Sequence, residues 1–525
     1  MTTEPDPPTT LATIGVDATT LIVSNLDAAD ALKLAVVSHA FAAAAQTRLS
    51  LLDTLDLSGS DCDDEHLEEW LQRAPVLTSL LCDRAPNICA LPLALEYPAA
   101  STLQRLSLSG TALDAAGLLV IWQCLPRLEA LDVSECKALD DDATNFIQEP
   151  PASNVFGELS MARCPNLSAI AAEAIASLCC ESLVSLDLSG YDDALPLFGG
   201  YPARARARPV PCNDVLRTLK LNECANLDDG TVTDIVCHMS GLTSLDFSWC
   251  ECLSEAAAET IGLHCSALEE LELRSCSCLC AITLLKAVGN GCPKLRVLNI
   301  NRCALVIQDV KIGAASEALM ETLRDPPRRL MRLCESFEKS HSAIGVAAIG
   351  PLLRCRDLEW LDVGWLTELI DNDAVNLLLL SLPKLRVLSV EGCKRLTNDA
   401  LKPLLGEHMP RVEVDPTCEA EIALTAPLER LNCSWVDDIR NECLHKAVLS
   451  AKSVRNRSLL ALDYYGTCWG VVEEATPDLG WKVTKCELSE IDPVRLPLKG
   501  WVAAFDNGES LSDLASNRFV MRREQ

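Results

Sequence analysis

The 525-residue sequence predicts an α/β solenoid, a stack of short parallel strands alternating with helices. Two observations carry that expectation. One phrase is written three times between Leu242 and Cys303: LTSLDFSWC (Leu242–Cys250), LEELELRSC (Leu268–Cys276) and LRVLNINRC (Leu295–Cys303), starting 26 and 27 residues apart. Between such phrases the chain turns helical. Ser254 precedes EAAAETIGLHC, Asp371 precedes NDAVNLLLLSL and Thr397 precedes NDALKPLL, each an N-cap residue followed by apolar residues at helical spacing.

The phrase L-x-x-L-x-L puts three apolar side chains on the inner side of a short strand and leaves the residues between them facing out. It also reads at Leu52, Leu77, Leu103, Leu128, Phe156, Leu183 and Leu216, and again at Leu358, Leu385 and Leu428, for thirteen strands in all. One copy cannot bury its own leucines, so neighbours must stack. A repeat of this length holds a strand, a turn and a helix of about ten residues. The expected architecture is a horseshoe with strands on the concave side and helices on the convex side.

Residues 1–10, acidic and rich in Pro and Thr, are expected to be disordered. Residues 11–48 read as two or three short helices, with Asp27 as a cap, and the repeats run from 49 to 440. Two insertions break the spacing. One lies near 191–211, Pro/Gly-rich with Arg204, Arg206 and Arg208; the other lies near 304–350, where Pro326-Pro327 ends one helix. Residues 441–525 leave the pattern and hold Tyr464, Tyr465, Trp469, Trp481, Trp501, Phe505 and Phe519, which reads as an aromatic cap of short strands.

Composition narrows the function. Seventy-five acidic against 45 basic side chains give a formal charge of −30, which repels nucleic acid and acidic membranes. The N-terminus has no basic n-region or apolar h-region, and no run of 18 apolar residues occurs, so a cytoplasmic or nuclear protein is expected. Twenty-seven cysteines then call for a structural role rather than disulfides. Cys136, Cys164, Cys224, Cys250, Cys276, Cys303 and Cys393 all fall eight residues after the first apolar residue of their phrase. Cys180, Cys265, Cys292 and Cys355 fall three residues before the next phrase. A small thiol packed at a turn fits both slots. The run Cys276–Cys280 lacks C-x-x-C spacing and a second ligand pair, so no metal and no cofactor are expected. Nucleotide-binding loops, zinc-protease helices and nucleophile elbows are absent, and the seven histidines are scattered, so no catalytic residue is assigned.

The run L-I-V-S-N-L-D-A-A-D-A-L-K-L-A-V-V-S-H-A-F, Leu21 to Phe41, resembles an F-box. Its second half matches the pattern, the usual Leu-Pro opening is absent, and Phe41 stands where the family has Trp. The repeats resemble cysteine-containing leucine-rich repeats. Together the two resemblances cover residues 11 to about 435 and imply a non-catalytic substrate receptor of a Skp–cullin–F-box ubiquitin ligase. They imply that Leu21, Leu26, Leu32, Leu34, Val37 and Phe41 face a Skp-type adaptor, which brings the cullin. A plain helical cap on the first repeat, in a scaffold without a ligase, is the other reading of the same residues.

For the target, the outward residue between the last two apolar positions is Asp56, Asp132, Asp187, Asp246, Glu272 or Asp362 in six phrases, with Lys220 as the basic exception. Trp249 and Trp365 share a position before the turn, and Trp360 projects beside Asp362. A basic target drawn in by the acids and anchored by Trp249, Trp360 and Trp365 is expected, against the plainer reading that the acids are only solvated.

Overall fold

A computed structural model describes residues 50–89, 97–153, 155–179, 181–191, 215–303, 343–405, 430–436, 438–439, 461–463, 481–485 and 519–523, with isolated neighbours of these segments. The F-box-like stretch, the arginines of the first insertion, Pro326-Pro327 and Cys180 all lie outside the described residues.

The chain divides into two units, Met1–Ala225 and Asn226–Gln525. The first carries strands β1 (Thr54–Asp56), β2 (Ser79–Leu81), β3 (Arg105–Ser107), β4 (Ala130–Asp132), β5 (Glu158–Ser160), β6 (Ser185–Asp187) and β7 (Thr218–Lys220). They pair in parallel, in chain order, with Leu55, Leu80, Leu106, Leu131, Leu159, Leu186 and Leu219 in one column. The second unit repeats the arrangement with β8 (Ser244–Asp246), β9 (Glu270–Glu272), β10 (Val297–Asn299), β11 (Trp360–Asp362), β12 (Val387–Ser389), β13 (Arg430–Asn432) and β14 (Ala461–Asp463). Its column runs Leu245, Leu271, Leu298, Leu361, Leu388, Leu431 and Leu462. All thirteen expected strands form where the phrase places them, and each unit is an open α/β solenoid of the leucine-rich-repeat type.

β14 is a fourteenth strand, within the stretch expected to leave the repeats. Its phrase starts at Leu459, and Tyr464 takes the third apolar place, which hides it from a leucine pattern. Farther on, β15 (Trp481–Lys485) and β16 (Phe519–Arg523) form an antiparallel pair.

The inward residues make the core. Leu242, Leu245 and Phe247, then Leu268, Leu271 and Leu273, are fully buried. Helices line the other side of that core: α1 (Asp64–Arg73), α2 (Ala115–Cys124), α3 (Ala143–Phe146), α4 (Ala169–Ser177), α5 (Asp229–His238), α6 (Glu255–His264), α7 (Ala281–Gly291), α8 (Ala343–Ile349), α9 (Asn372–Ser381) and α10 (Lys402–Leu405). Caps start them as the sequence implies. Ser254 Oγ accepts from the Ala256 N–H, and Asp371 Oδ1 accepts from that of Ala374. Thr397 caps a 3-10 turn, Asn398–Leu401, rather than an α-helix; α10 follows it with Pro403 at its second position. Since α8 packs against both α7 and α9, residues 343–350 belong to the helix layer and not to the second insertion.

The cysteine slot is a hydrogen-bonding device as well as a packing one. Cys136, Cys164, Cys224, Cys276, Cys303 and Cys393 are buried, and each thiol donates to the last apolar residue's carbonyl in the preceding repeat. The Sγ–O distances are 3.2 Å to Leu108, 3.2 Å to Val133, 3.5 Å to Leu188, 3.2 Å to Phe247, 3.1 Å to Leu273 and 3.5 Å to Val363. Tyr191 stands in this slot in its own repeat, and its hydroxyl donates to the Met161 carbonyl at 2.6 Å. In the second slot Cys265, Cys292 and Cys355 are buried; in the repeat of Cys180, Cys179 is the buried residue whose carbonyl takes the Leu183 N–H. Along Cys276–Cys280 the side chains alternate, Cys276 and Cys280 buried and Cys278 exposed, so the three thiols do not converge.

Candidate target-binding face

Two parallel rows of side chains stand on the strand face of the second unit. One runs Ser244, Glu270, Val297, Trp360, Val387, Arg430; the other runs Asp246, Glu272, Asn299, Asp362, Ser389, Asn432. Val297, Trp360 and Val387, all half-buried, thus form an apolar stripe across three adjacent strands. Strands about 4.8 Å apart bring Asp246 and Glu272 side by side. Asn299 and Ser389 flank Asp362, and in the first unit Ser160 separates Asp132 from Asp187, so the expected ladder of acids contracts to one adjacent pair.

Most of these acids also have an internal task. Asp56 Oδ1 accepts from the Ser58 N–H at 2.9 Å, Asp132 from Ser134 at 2.9 Å, Asp187 from Ser189 at 3.0 Å, Asp246 from Ser248 at 3.0 Å and Asp362 from Gly364 at 2.9 Å. A short carboxylate bonding its own backbone two residues on holds the turn that leaves the strand. Neither solvation nor target binding alone therefore accounts for the aspartates. Asp362 is the most engaged, since Asn301 Nδ2 also reaches its two oxygens at 3.0 and 3.2 Å. Burial raises the pKa of both Asp132 and Asp362. Glu272 is longer and differs: burial first, then the Asp246 charge beside it, push its pKa up to about 8, against a bond from Asn299.

Beyond each strand the backbone turns left-handed at a fixed place, the residue before the cysteine slot. Gly59, Gly110, Gly190 and Gly392 take positive φ there, and so do Arg84, Glu135, Arg163, Glu223, Trp249, Ser275, Arg302, Trp365 and Trp435. The N–H at this place donates to the next repeat, as Trp249 does to the Arg274 carbonyl at 2.7 Å and Ser275 to that of Asn301 at 2.7 Å. The parallel ladder thereby continues past the strand, and the side chain is thrown outward at the strand exit.

Two of the three expected tryptophan anchors, Trp249 and Trp365, occupy that row, while Trp360 lies on β11. Trp249 is 46% exposed, yet the Arg274 guanidinium lies over its ring, 5.8 Å from the centroid. Arg302 lies over Trp365 at 5.1 Å. These rings thus already hold cations of their own chain, where the sequence assigned them to a target's. Trp365 also donates from Nε1 to Glu391 at 3.4 Å and covers Gly392, where a Cβ would fall 2.6 Å from the ring. Arg274, Arg302 and Glu391 went unassigned in the sequence, although they fall one or two places before the slot cysteines Cys276, Cys303 and Cys393.

At the strand entry the charges cancel. Arg296 bonds Glu359 at 3.0 Å and Glu269 at 3.5 Å, and Arg386 lies 3.9 Å from Glu359, an alternating chain of partly exposed pairs. In the first unit Arg163 passes over Gly190 to reach Glu223 through two bonds of 2.9 and 2.8 Å. Asp132 and Asp187 stand on that unit's own strand face, and Asp187 accepts from both the N–H and the hydroxyl of Ser189.

No family model matches the chain, and no curated protein matches it. Among solved structures, a chain in the crystal structure of the Rad7 and Elc1 complex in yeast is 16% identical, with 82% of this chain and 90% of that one covered at a TM-score of 0.48. An internalin (inlF) from Listeria monocytogenes is 13% identical, covering 71% of this chain and 87% of that one at a TM-score of 0.37.

Proposed function

We propose that this chain is a non-catalytic recognition protein that binds a target protein on the strand face of its second unit. One observation carries the reading: Asp246 and Glu272 stand on adjacent strands next to the apolar stripe of Val297, Trp360 and Val387. That surface suits a basic segment with an apolar anchor. The charge pairs at the strand entry neutralise one another; here burial and the Asp246 charge hold Glu272 protonated at neutral pH, and an incoming cation beside the two acids favours its ionisation.

Through residues 11–48 the chain recruits a Skp-type adaptor and cullin, which makes it the substrate receptor of a ubiquitin ligase working in the cytoplasm or nucleus. Its contribution is proximity, holding the target near a conjugating enzyme. The resemblance of Leu21 to Phe41 supports this half; a scaffold without the ligase is the alternative. Affinity purification of the full chain and of a chain starting at residue 49 separates the two. Adaptor and cullin are expected with the first and absent from the second, while both retain the target; adaptor retained without residues 1–48 refutes the assignment. For the strand face, Asp246→Lys with Glu272→Lys is expected to weaken target binding more than Glu255→Lys with Glu259→Lys on α6. Equal effects would show that the acids do not read the target.

A further inference from the structure

We propose that the strand-exit rim of the second unit, at Arg274 and Arg302, receives an Asp or Glu carboxylate of the target segment. The inference rests on the strand face being the target-binding surface. Both arginines are exposed and belong to the consecutive repeats of β9 and β10; Arg274 leans back over the repeat of β8 and Arg302 forward over that of β11, so each is a separate place for a carboxylate. Each guanidinium is laid over a tryptophan, Arg274 on Trp249 and Arg302 on Trp365. Among the described residues neither forms an ion pair, although arginines elsewhere do: Arg163 takes Glu223 and Arg296 takes Glu359. Stacking restrains a long side chain without using its N–H donors, so the two planar forks are held in place with hydrogen-bonding capacity left over. A carboxylate is the oxyanion of a peptide that meets such forks in a bidentate way. Ser275 stands in the exit row between Trp249 and Arg302, and its buried Oγ has no hydrogen-bond partner among the described residues.

Charge complementarity selects the occupant. Asp246 and Trp249 lie three residues apart in one repeat, as do Glu272 and Ser275 in the next, so those two repeats offer acids on the strands and the Arg274 guanidinium at the exit, with Arg302 following in the repeat of β10. In a chain of net charge −30 a wholly acidic segment is repelled, while one with Lys or Arg over the strands and a single Asp or Glu toward the exit matches both halves.

The test is selection of random peptides, displayed on phage, against the full chain, against Arg274→Gln/Arg302→Gln and against Asp246→Asn/Glu272→Gln, each checked by circular dichroism and melting. Peptides enriched on the unsubstituted chain are expected to carry an acid at a fixed offset from Lys or Arg. The arginine variant is expected to lose the acid preference and keep the basic one, with the Glu-containing peptide binding about tenfold more weakly. The acidic-pair variant is expected to do the reverse. If the arginine pair does not fold, Arg274→Gln alone gives the same readout. Selected peptides with no acid at a fixed place, or an acid preference that survives loss of the arginines, overturn the proposal. A retained basic preference in those cases leaves the strand-face reading standing, and its absence removes that reading too.

Discussion

Replacing Tyr191 by Phe isolates the hydrogen bond that the cysteine slot makes in other repeats. The side chain is 4% exposed, and its hydroxyl meets the carbonyl of fully buried Met161 at 2.6 Å. Burial pushes the phenol's pKa well up, so the group is a fixed O–H donor. Phe keeps the ring and removes one oxygen, which leaves no cavity and isolates a buried acceptor stripped of its partner. That loss costs about 1–3 kcal/mol. In a repeat stack the cost falls on the local interface, between the repeats of β5 and β6, more than on the whole chain. Native-state amide exchange reads it. The N–H groups of Arg163 and Leu188, which bond into the neighbouring repeats, are expected to exchange about 5- to 150-fold faster, while those of Phe247 and Leu273 in the second unit stay unchanged. Unchanged protection at Arg163 would show that the slot residue only fills space, and the same conclusion would then extend to the six thiols.

Leu271→Ala empties the middle of a column, between Leu245 and Leu298, and is expected to destabilise the second unit by about 2–5 kcal/mol in urea unfolding. When folded, Glu272 keeps until about pH 8 a proton that the unfolded chain loses near pH 4.5, so its contribution makes stability fall as pH rises through that window. Glu272→Gln is expected to flatten the dependence, read as unfolding midpoints at both ends of the window. In the native chain a thiol reagent is expected to reach exposed Cys237, Cys252 and Cys278 quickly, while buried Cys164 and Cys276, with pKa values pushed up to about 12, react after denaturation; mass spectrometry of labelled peptides distinguishes them.

Features written inside one repeat were legible. The three apolar positions, the Ser254 and Asp371 caps and the buried cysteines depend on spacing within about nine residues, and each stands where the phrase puts it. Features that join repeats were not. Arg302 meets Trp365, and Asn301 meets Asp362, across sequence gaps that include the second insertion, and nothing in the local phrase pairs them. The left-handed turn was hidden for another reason: nine of its thirteen places hold side chains such as Arg163, Glu223 and Trp365 rather than glycine. The acids of the strands were legible as charges, but their bonds to the following turn appear only once the backbone is bent.

That row of left-handed residues links fold to recognition. Each non-glycine there costs roughly 1–2 kcal/mol in backbone strain, and at Arg84, Glu135, Arg163, Trp249, Ser275, Arg302 and Trp365 the N–H is bonded onward to the neighbouring repeat, which holds that conformation. With the backbone fixed by those bonds, the side chain is free to vary without touching the leucine core. Trp249 and Trp365 hold arginines, Arg163 reaches a glutamate two repeats on, and Gly190 and Gly392 leave room for the long residue of the repeat before. The column of leucines is invariant from β1 to β14, whereas this exit row changes from one repeat to the next. A solenoid that reads a specific partner needs such a site, rigid in backbone and variable in side chain. In the second unit the row brings its aromatic and guanidinium groups to the edge of the strand face that carries Asp246 and Glu272.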